Sequence, residues 1–420
     1  MTGARVPLYG WLTAEAISVT GTRVSMIAIP WFVLTTTGSP TQTGLVAMAE
    51  LVPMVLLKVL GGPVIDRVGA RRVSVGCDAG SMVVVGLVPV LYAAGSLPFE
   101  LLLALVAVAG GLRGPGDAAK QALVPTLVEH AGVPMERATG LFAAVERGAS
   151  MLGSAFAGVL VVFVGPANAL YVDALSFGVS AAVLWASTRR LAVSANKATA
   201  SEDDGAGGSY LHRLGEGWHF LVREPVLLAI TAMVAVTNLI DIAYTTVLLP
   251  VWAKETGGGA AILGLIFAVK NGASILGALT AARWGDRLPR YRTYLVAFIL
   301  GGAPKFLVLA WGVPLWAVIV VCVVSGAASG FLNPILGAVI FERIPVSLVG
   351  RVSSLTTAMC FALMPLGGVV AGLLIGGPGL SAALVICGAA YLVTTMAPTF
   401  VRPFRSMDDR RAPAREPLTV

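Results

Sequence analysis

Residues 62–72 read Gly-Pro-Val-Ile-Asp-Arg-Val-Gly-Ala-Arg-Arg, a glycine-bounded turn with one acid and three bases between two long apolar runs. Shifted by 220 residues, Asp66 and Arg67 fall on Asp286 and Arg287, inside a looser copy formed by Gly285-Asp286-Arg287 with Arg290 and Arg292. The same shift places Pro30 on Pro250, Glu50 on Lys270 and Pro125 on Pro345 without a gap. These matches fall on charged and proline positions, which are scarce in apolar segments. The chain therefore reads as two parallel copies of one unit, the build of a secondary transporter.

Composition says what surrounds the copies. Of 420 residues, 57% are hydrophobic and only 12% charged, with 49 glycines besides, whereas a soluble domain carries about 25% charged residues. A water-soluble globule would leave much of that apolar surface wet; a bilayer accepts it. The expected fold is an all-α membrane protein, with twelve transmembrane helices in two pseudo-symmetric six-helix bundles. Apolar runs bounded by Gly, Pro and Arg place spans near 8–36, 43–65, 73–94, 98–118, 138–163, 168–188, 225–252, 262–282, 293–311, 314–338, 352–375 and 380–401. The first run is too long for a cleaved signal h-region and stays as a span.

The domain division expected from this is 1–188 for the N-terminal bundle and 224–401 for the C-terminal one. Between them, 189–223 forms a polar linker whose second half, from Tyr210 to Val222, reads as a short interfacial helix. A basic tail, 402–420, follows. Of the 29 Lys and Arg residues, Lys254 falls on an outer segment and Arg23, Lys58, Arg113, Arg147, Lys270 and Lys305 inside spans; all others fall on one side. The positive-inside rule makes that side cytosolic, so both termini are expected in the cytosol of a cell-membrane protein. The net charge of +7 then belongs to the membrane face rather than to nucleic acid, and the tail suits anionic lipid headgroups.

The 62–72 stretch also resembles the loop signature of the major facilitator superfamily: glycine, three residues, Asp-Arg, then glycine and two bases. Ala28-Ile29-Pro30-Trp31, Tyr171-Val172-Asp173-Ala174-Leu175-Ser176-Phe177, and Glu342-Arg343-Ile344-Pro345 with Gly350-Arg351-Val352 resemble its drug, macrolide and enterobactin exporter branch. The resemblance implies a major facilitator fold working by alternating access. It makes Gly62, Asp66, Arg67, Gly69, Arg71, Arg72, Asp286 and Arg287 gating loops, with the Asp braced against the start of span eleven near Gly350 and Arg351. Gly148, Gly153, Ser154, Ala157 and Gly158 in span five are similar to the family's antiporter motif, with Ser154 where the family has proline. Close packing through small residues is the other reading of that stripe.

Charges inside a bilayer cost about 2.5–3.5 kcal/mol each on insertion scales, so they face a cavity or a partner. The candidates are Glu15, Arg23, Glu50, Lys58, Glu146, Arg147, Asp173, Asp241, Lys270 and Lys305. Glu15, Ser18, Thr22 and Ser25 share one face of span one, with Arg23 beside it. Thr237, Asn238, Asp241, Tyr244 and Thr245 share a face of span seven, and Lys270, Asn271 and Ser274 one of span eight. These faces are expected to line a substrate or proton cavity formed by Glu15, Arg23, Glu50, Glu146, Arg147, Asn238, Asp241, Lys270 and Asn271. Static salt bridges holding the bundle together are the alternative. Glu100 falls at the outer interface, and Asp78 and Asp117 at the inner one, where water would solvate them.

Cys77, Cys322, Cys360 and Cys387 read as small packing residues, and His130, His212 and His219 as solvated. No Walker phosphate loop, GxSxG or HExxH motif is present, so neither ATP coupling, nor an enzyme, nor a cofactor or metal is implied. The expectation is a proton-coupled exporter of amphipathic small molecules, monomeric, with a symporter or uniporter of the same fold as the rival and a non-transporting receptor as the outsider.

Overall fold

The computed structural model describes residues 3–189, 191, 218–284, 288–344 and 348–400. Among these, twelve helices are long and apolar enough to cross a membrane, and no strand occurs. They are α1 (Val6–Thr37), α2 (Pro40–Lys58), α3 (Ala70–Ala93), α4 (Phe99–Ala131), α5 (Arg137–Val164), α6 (Pro166–Thr188), α7 (Pro225–Glu255), α8 (Gly259–Ala281), α9 (Arg290–Ala310), α10 (Leu315–Leu332), α11 (Leu355–Gly376) and α12 (Leu380–Phe400). The fold is the expected all-α membrane architecture. The linker helix expected from Tyr210 lies mostly outside the described residues, as do the tail from 401 and the Gly285-Asp286-Arg287 turn.

Local chemistry sets the ends. Gly38 takes a left-handed φ of 68° and its N–H closes α1 on the Leu34 carbonyl at 3.1 Å. Ser39 then caps α2 by accepting from the Gln42 N–H at 3.2 Å, with Pro40 in the first turn. At the other end of α2 the expected continuous span breaks: a separate short helix, Gly62–Val68, carries the Asp-Arg pair, and Gly69 at φ 94° turns the chain into α3. That φ excludes residues with a Cβ except under strain.

The chain divides into two compact units. Unit 1 gathers the described residues of Met1–Gly205, Thr245–Ala268 and Gly368–Leu373; unit 2 gathers those of Ala206–Tyr244, Val269–Gly367 and Leu374–Val420. In unit 1, α1 packs on α5 and α6, α2 on α4, and α3 on α4 and α6. In unit 2, α9 packs on α10 and α12, and α7 on α11 and α12. Large apolar side chains left exposed, such as Phe163, Leu175, Leu276 and Trp316, suit acyl chains.

Glycines mark the tightest crossings. In unit 1 a Cβ on Gly110 would lie 2.0 Å from the Glu50 carbonyl oxygen, and in unit 2 one on Gly326 would lie 2.4 Å from that of Lys270, the repeat mate of Glu50. One crossing, α2 on α4, is thus copied as α8 on α10. Two further seams lie within unit 1. Gly158 of α5 meets Gly264 of α8, and Gly44 of α2 meets Gly368 of α11, each with backbone on backbone. Gly44 and Gly264 are again repeat mates, so these seams are copies of each other. Nearby, Lys254 donates to the Leu34 carbonyl at 2.8 Å, tying the end of α7 to the end of α1.

Candidate functional site

Unit 1 holds a cavity of about 190 Å³ lined by Glu15, Ser18, Thr22 and Arg23 of α1, Lys58 at the end of α2, Arg113, Asp117 and Gln121 of α4, and Phe142 and Glu146 of α5. The i, i+3, i+7 spacing of Glu15, Ser18 and Thr22 carries one polar face of α1 along it. Arg23 is held in place by Ser150 of α5, to whose hydroxyl its Nε and Nη2 donate at 3.1 and 2.8 Å. Arg147 is half-buried on α5 and does not line this cavity. Glu50 of α2 pairs with Arg113 at 3.2 Å, both side chains about one-quarter exposed. Asp173 of α6 is buried and accepts from Ser25.

A second cluster lies in unit 2. Asp241 of α7 pairs with Lys305 of α9; the lysine is buried while 37% of the carboxylate side chain stays exposed. Three rings surround the ammonium: Tyr391 at 4.8 Å, Phe306 at 5.1 Å and Tyr244 at 5.4 Å, and Lys270 lies 5.7 Å over the same Tyr244. Two helix irregularities bring these groups together. Residues Tyr244–Leu248 form a π turn in α7, and α9 breaks at Gly302, where the Tyr391 ring would meet any Cβ. Asn238 donates to the Cys360 carbonyl of α11 at 3.0 Å, and Asn271 is half-buried on α8.

In the loop, Gly62, Asp66 and Arg67 lie exposed on the short helix and Arg72 is exposed at the start of α3. Arg71 donates to the Arg189 carbonyl at 3.4 Å, docking the loop on the end of α6. Asp286 and Arg287 lie outside the described residues; Arg351 sits in the helix Val349–Ala362.

The reading of Asp78 as solvated, and of Lys120 as a residue beyond its span, is corrected. The helix runs on to Ala131, and Lys120 and Asp78 pair at 2.9 Å with side-chain exposures of 3% and 6%. Lys120 also lies 3.3 Å from Ser18 Oγ and 4.0 Å from Glu15 Oε2. Charge made the sequence end the span at 118; the apolar run Ala118-Ala119 and Ala122–Val124 across that point is the signal that it continues. Glu100 is exposed at the start of α4, and Asp117 lines the cavity rather than standing in bulk water. Of the stripe in α5, Gly153 packs on the Thr20 backbone and Gly158 on Gly264, whereas Gly148 meets nothing.

The comparisons place this architecture. Residues 6–418 match the family described as transmembrane secretion effectors. The multidrug efflux pump Tap of Mycobacterium tuberculosis is 27% identical over 407 residues, covering 96% of this chain and 95% of that protein. Tap of Mycolicibacterium fortuitum is also 27% identical over 407 residues, covering 96% and 98%. A crystal structure of a point mutant of the nucleoside transporter NupG superposes with a TM-score of 0.77 at 15% identity, over 96% of this chain and 99% of that one. The exporter-branch resemblance and the twelve-helix, two-bundle fold are thereby met, and the chain belongs to the transmembrane secretion effector family of the major facilitator superfamily of multi-pass membrane transporters.

Proposed function

We propose that the protein is a proton-coupled exporter of amphipathic small molecules, working as a monomer in the cell membrane by alternating access. One observation carries the reading: a cavity inside apolar membrane helices is lined by three acids and three bases, namely Glu15, Asp117, Glu146, Arg23, Lys58 and Arg113. Helices pay for such charges only where water or cargo reaches them. The partly exposed Asp241 beside caged Lys305 adds a second place for a proton or cation. The two Tap proteins, named as efflux pumps and alignable over nearly the whole chain, support the export direction.

In this reading the bundles 1–188 and 224–401 rock against one another, joined by 189–223, with both termini and the 402–420 tail in the cytosol. Asp66, Arg67, Arg71 and Arg72, with Asp286, Arg287 and Arg351, latch the cytosolic side. The glycine seams of unit 1 suit contacts made and broken at full closure, because backbone meets backbone without side chains to repack. The test is uptake into everted membrane vesicles of a panel of dyes, macrolides and siderophores, with and without an imposed pH gradient. Gradient-dependent uptake of panel compounds is expected. Accumulation in right-side-out vesicles instead would reverse the assigned direction, and transport indifferent to the gradient would remove the proton.

A further inference from the structure

Three groups on three helices of unit 1 form a cluster with unequal charge. Lys120 Nζ of α4 lies 2.9 Å from Asp78 Oδ2 of α3, 3.3 Å from Ser18 Oγ and 4.0 Å from Glu15 Oε2 of α1. Ser180 of α6 donates to Asp78 Oδ2 at 2.7 Å. Two carboxylates therefore share one ammonium. They are not equivalent: Asp78 is closed in by its partners, whereas Glu15 lines the cavity and its Oε2, though buried, accepts no hydrogen bond. A carboxylate oxygen with no donor is a place where a proton can add without breaking a hydrogen bond.

We infer that Glu15 is the seat of the exchangeable proton and that Lys120 switches with it, shared between both carboxylates when Glu15 is ionised and held by Asp78 and Ser18 alone when Glu15 is protonated. The step is a simple transfer: a hydronium of the cavity gives its proton to a Glu15 oxygen and leaves as water, and no other bond changes. Lys120 occupies the point between the carboxylates where a metal cation would sit, which favours a proton over sodium as the exchanging ion. The switch has a mechanical lever. The Lys120 carbonyl accepts from Trp11 Nε1 of α1 at 3.1 Å, and Trp11 stacks on Phe142 of α5, so the residue is anchored while its ammonium changes partners. Asp117 and Arg113 from α4, Glu146 from α5, Lys58 from α2 and Arg23 from α1 face the same cavity and set the background field.

The inference gives the proton-coupled reading its proton site, and its test is independent of transport. Purified protein in liposomes is titrated by pH-difference infrared spectroscopy, which reports the carboxyl C=O stretch. Glu15→Gln should delete one titrating band; a full set of bands in the folded variant overturns the assignment. Asp78→Asn leaves Lys120 to Glu15 alone, so the midpoint of the Glu15 band should fall by about one pH unit. Lys120→Met alone would strand Asp78 in the core and lower the yield of folded protein. The double variant Asp78→Asn/Lys120→Met removes both charges and should bring the midpoint back to the wild-type value or above. An unmoved midpoint in Asp78→Asn would mean that Lys120 and Asp78 only hold helices together, which overturns the switch. If the titration behaves as stated but vesicle transport ignores the pH gradient, the site stands and the coupled-transport reading fails.

Discussion

Replacing Gly264 by alanine puts a methyl group where only backbone can receive it. Its Cβ would lie 2.6 Å from Gly158 Cα, 2.9 Å from Gly158 N and 2.9 Å from the Ser154 carbonyl oxygen. Carbon atoms pack at about 3.5–4.0 Å, so the methyl falls about 1 Å short of room. None of the three atoms is the flexible end of a side chain, so α5 and α8 must part. Overpacking of this kind costs about 2 kcal/mol, roughly a 30-fold shift in the balance between this conformer and one in which the seam is open. The assay is double electron–electron resonance with spin labels at Val162→Cys of α5 and Ala261→Cys of α8, in a chain whose four native cysteines are replaced by alanine. Gly264→Ala should add a longer distance component that the parent lacks, together with slower vesicle transport. Gly148→Ala, on the same helix but meeting nothing within 4 Å, is the matched control and should change neither. Unchanged distances and unchanged transport in Gly264→Ala would refute the idea that this seam is a closure contact.

Five further variants separate function from packing. Asp241→Asn removes the carboxylate from buried Lys305 and should lower stability by about 1–3 kcal/mol, less than for a fully enclosed pair because Asp241 is partly exposed. Asp241→Asn/Lys305→Met should regain most of the melting temperature but not gradient-driven transport; recovered coupling in that variant would assign the pair a structural role. Asp66→Asn should stop transport without reducing membrane insertion, and Gly69→Ala, forced to φ 94°, should cost about 1–2 kcal/mol in thermal unfolding; normal efflux from inserted Asp66→Asn would remove the loop from the latch. Tyr294→Phe deletes a buried hydroxyl that donates to the Thr395 carbonyl at 2.7 Å and should cost about 1 kcal/mol in stability, read as a lower melting temperature.

The membrane helices were legible because apolar run length is a one-dimensional quantity, and the duplication because Pro30 and Pro250, or Asp66 and Asp286, stand out against an apolar background. The ten charges named within spans, five acids and five bases, likewise point to pairing. Who pairs with whom was not legible. Glu50 meets Arg113 from 63 positions away and Asp241 meets Lys305 from 64, choices made by helix crossings that no local period encodes. Lys120 and Asp78 are illegible for the opposite reason: charge alone marks each as a membrane-edge residue, whereas mutual neutralisation lets both lie inside. The same weight given to charge ends the expected span at 118, short of the Ala131 that α4 reaches. The caged setting of Lys305 depends on a break at Gly302 and a π turn in α7, and neither leaves a periodic trace.

The irregular turns in α7 and α11 fall at a telling place. The π turn Tyr244–Leu248 stands between Asp241 and Lys254 of α7, and the 3-10 turn Met364–Leu366 stands in the middle of α11. An overfilled turn and an overwound one both make poorer hydrogen bonds than the α-helix around them, so flexure there sacrifices less than it would elsewhere. Each of these helices is therefore articulated like a knee. In α7 this puts a compliant joint within one turn of Asp241, so a change of charge there can be absorbed by the helix locally rather than along its whole length.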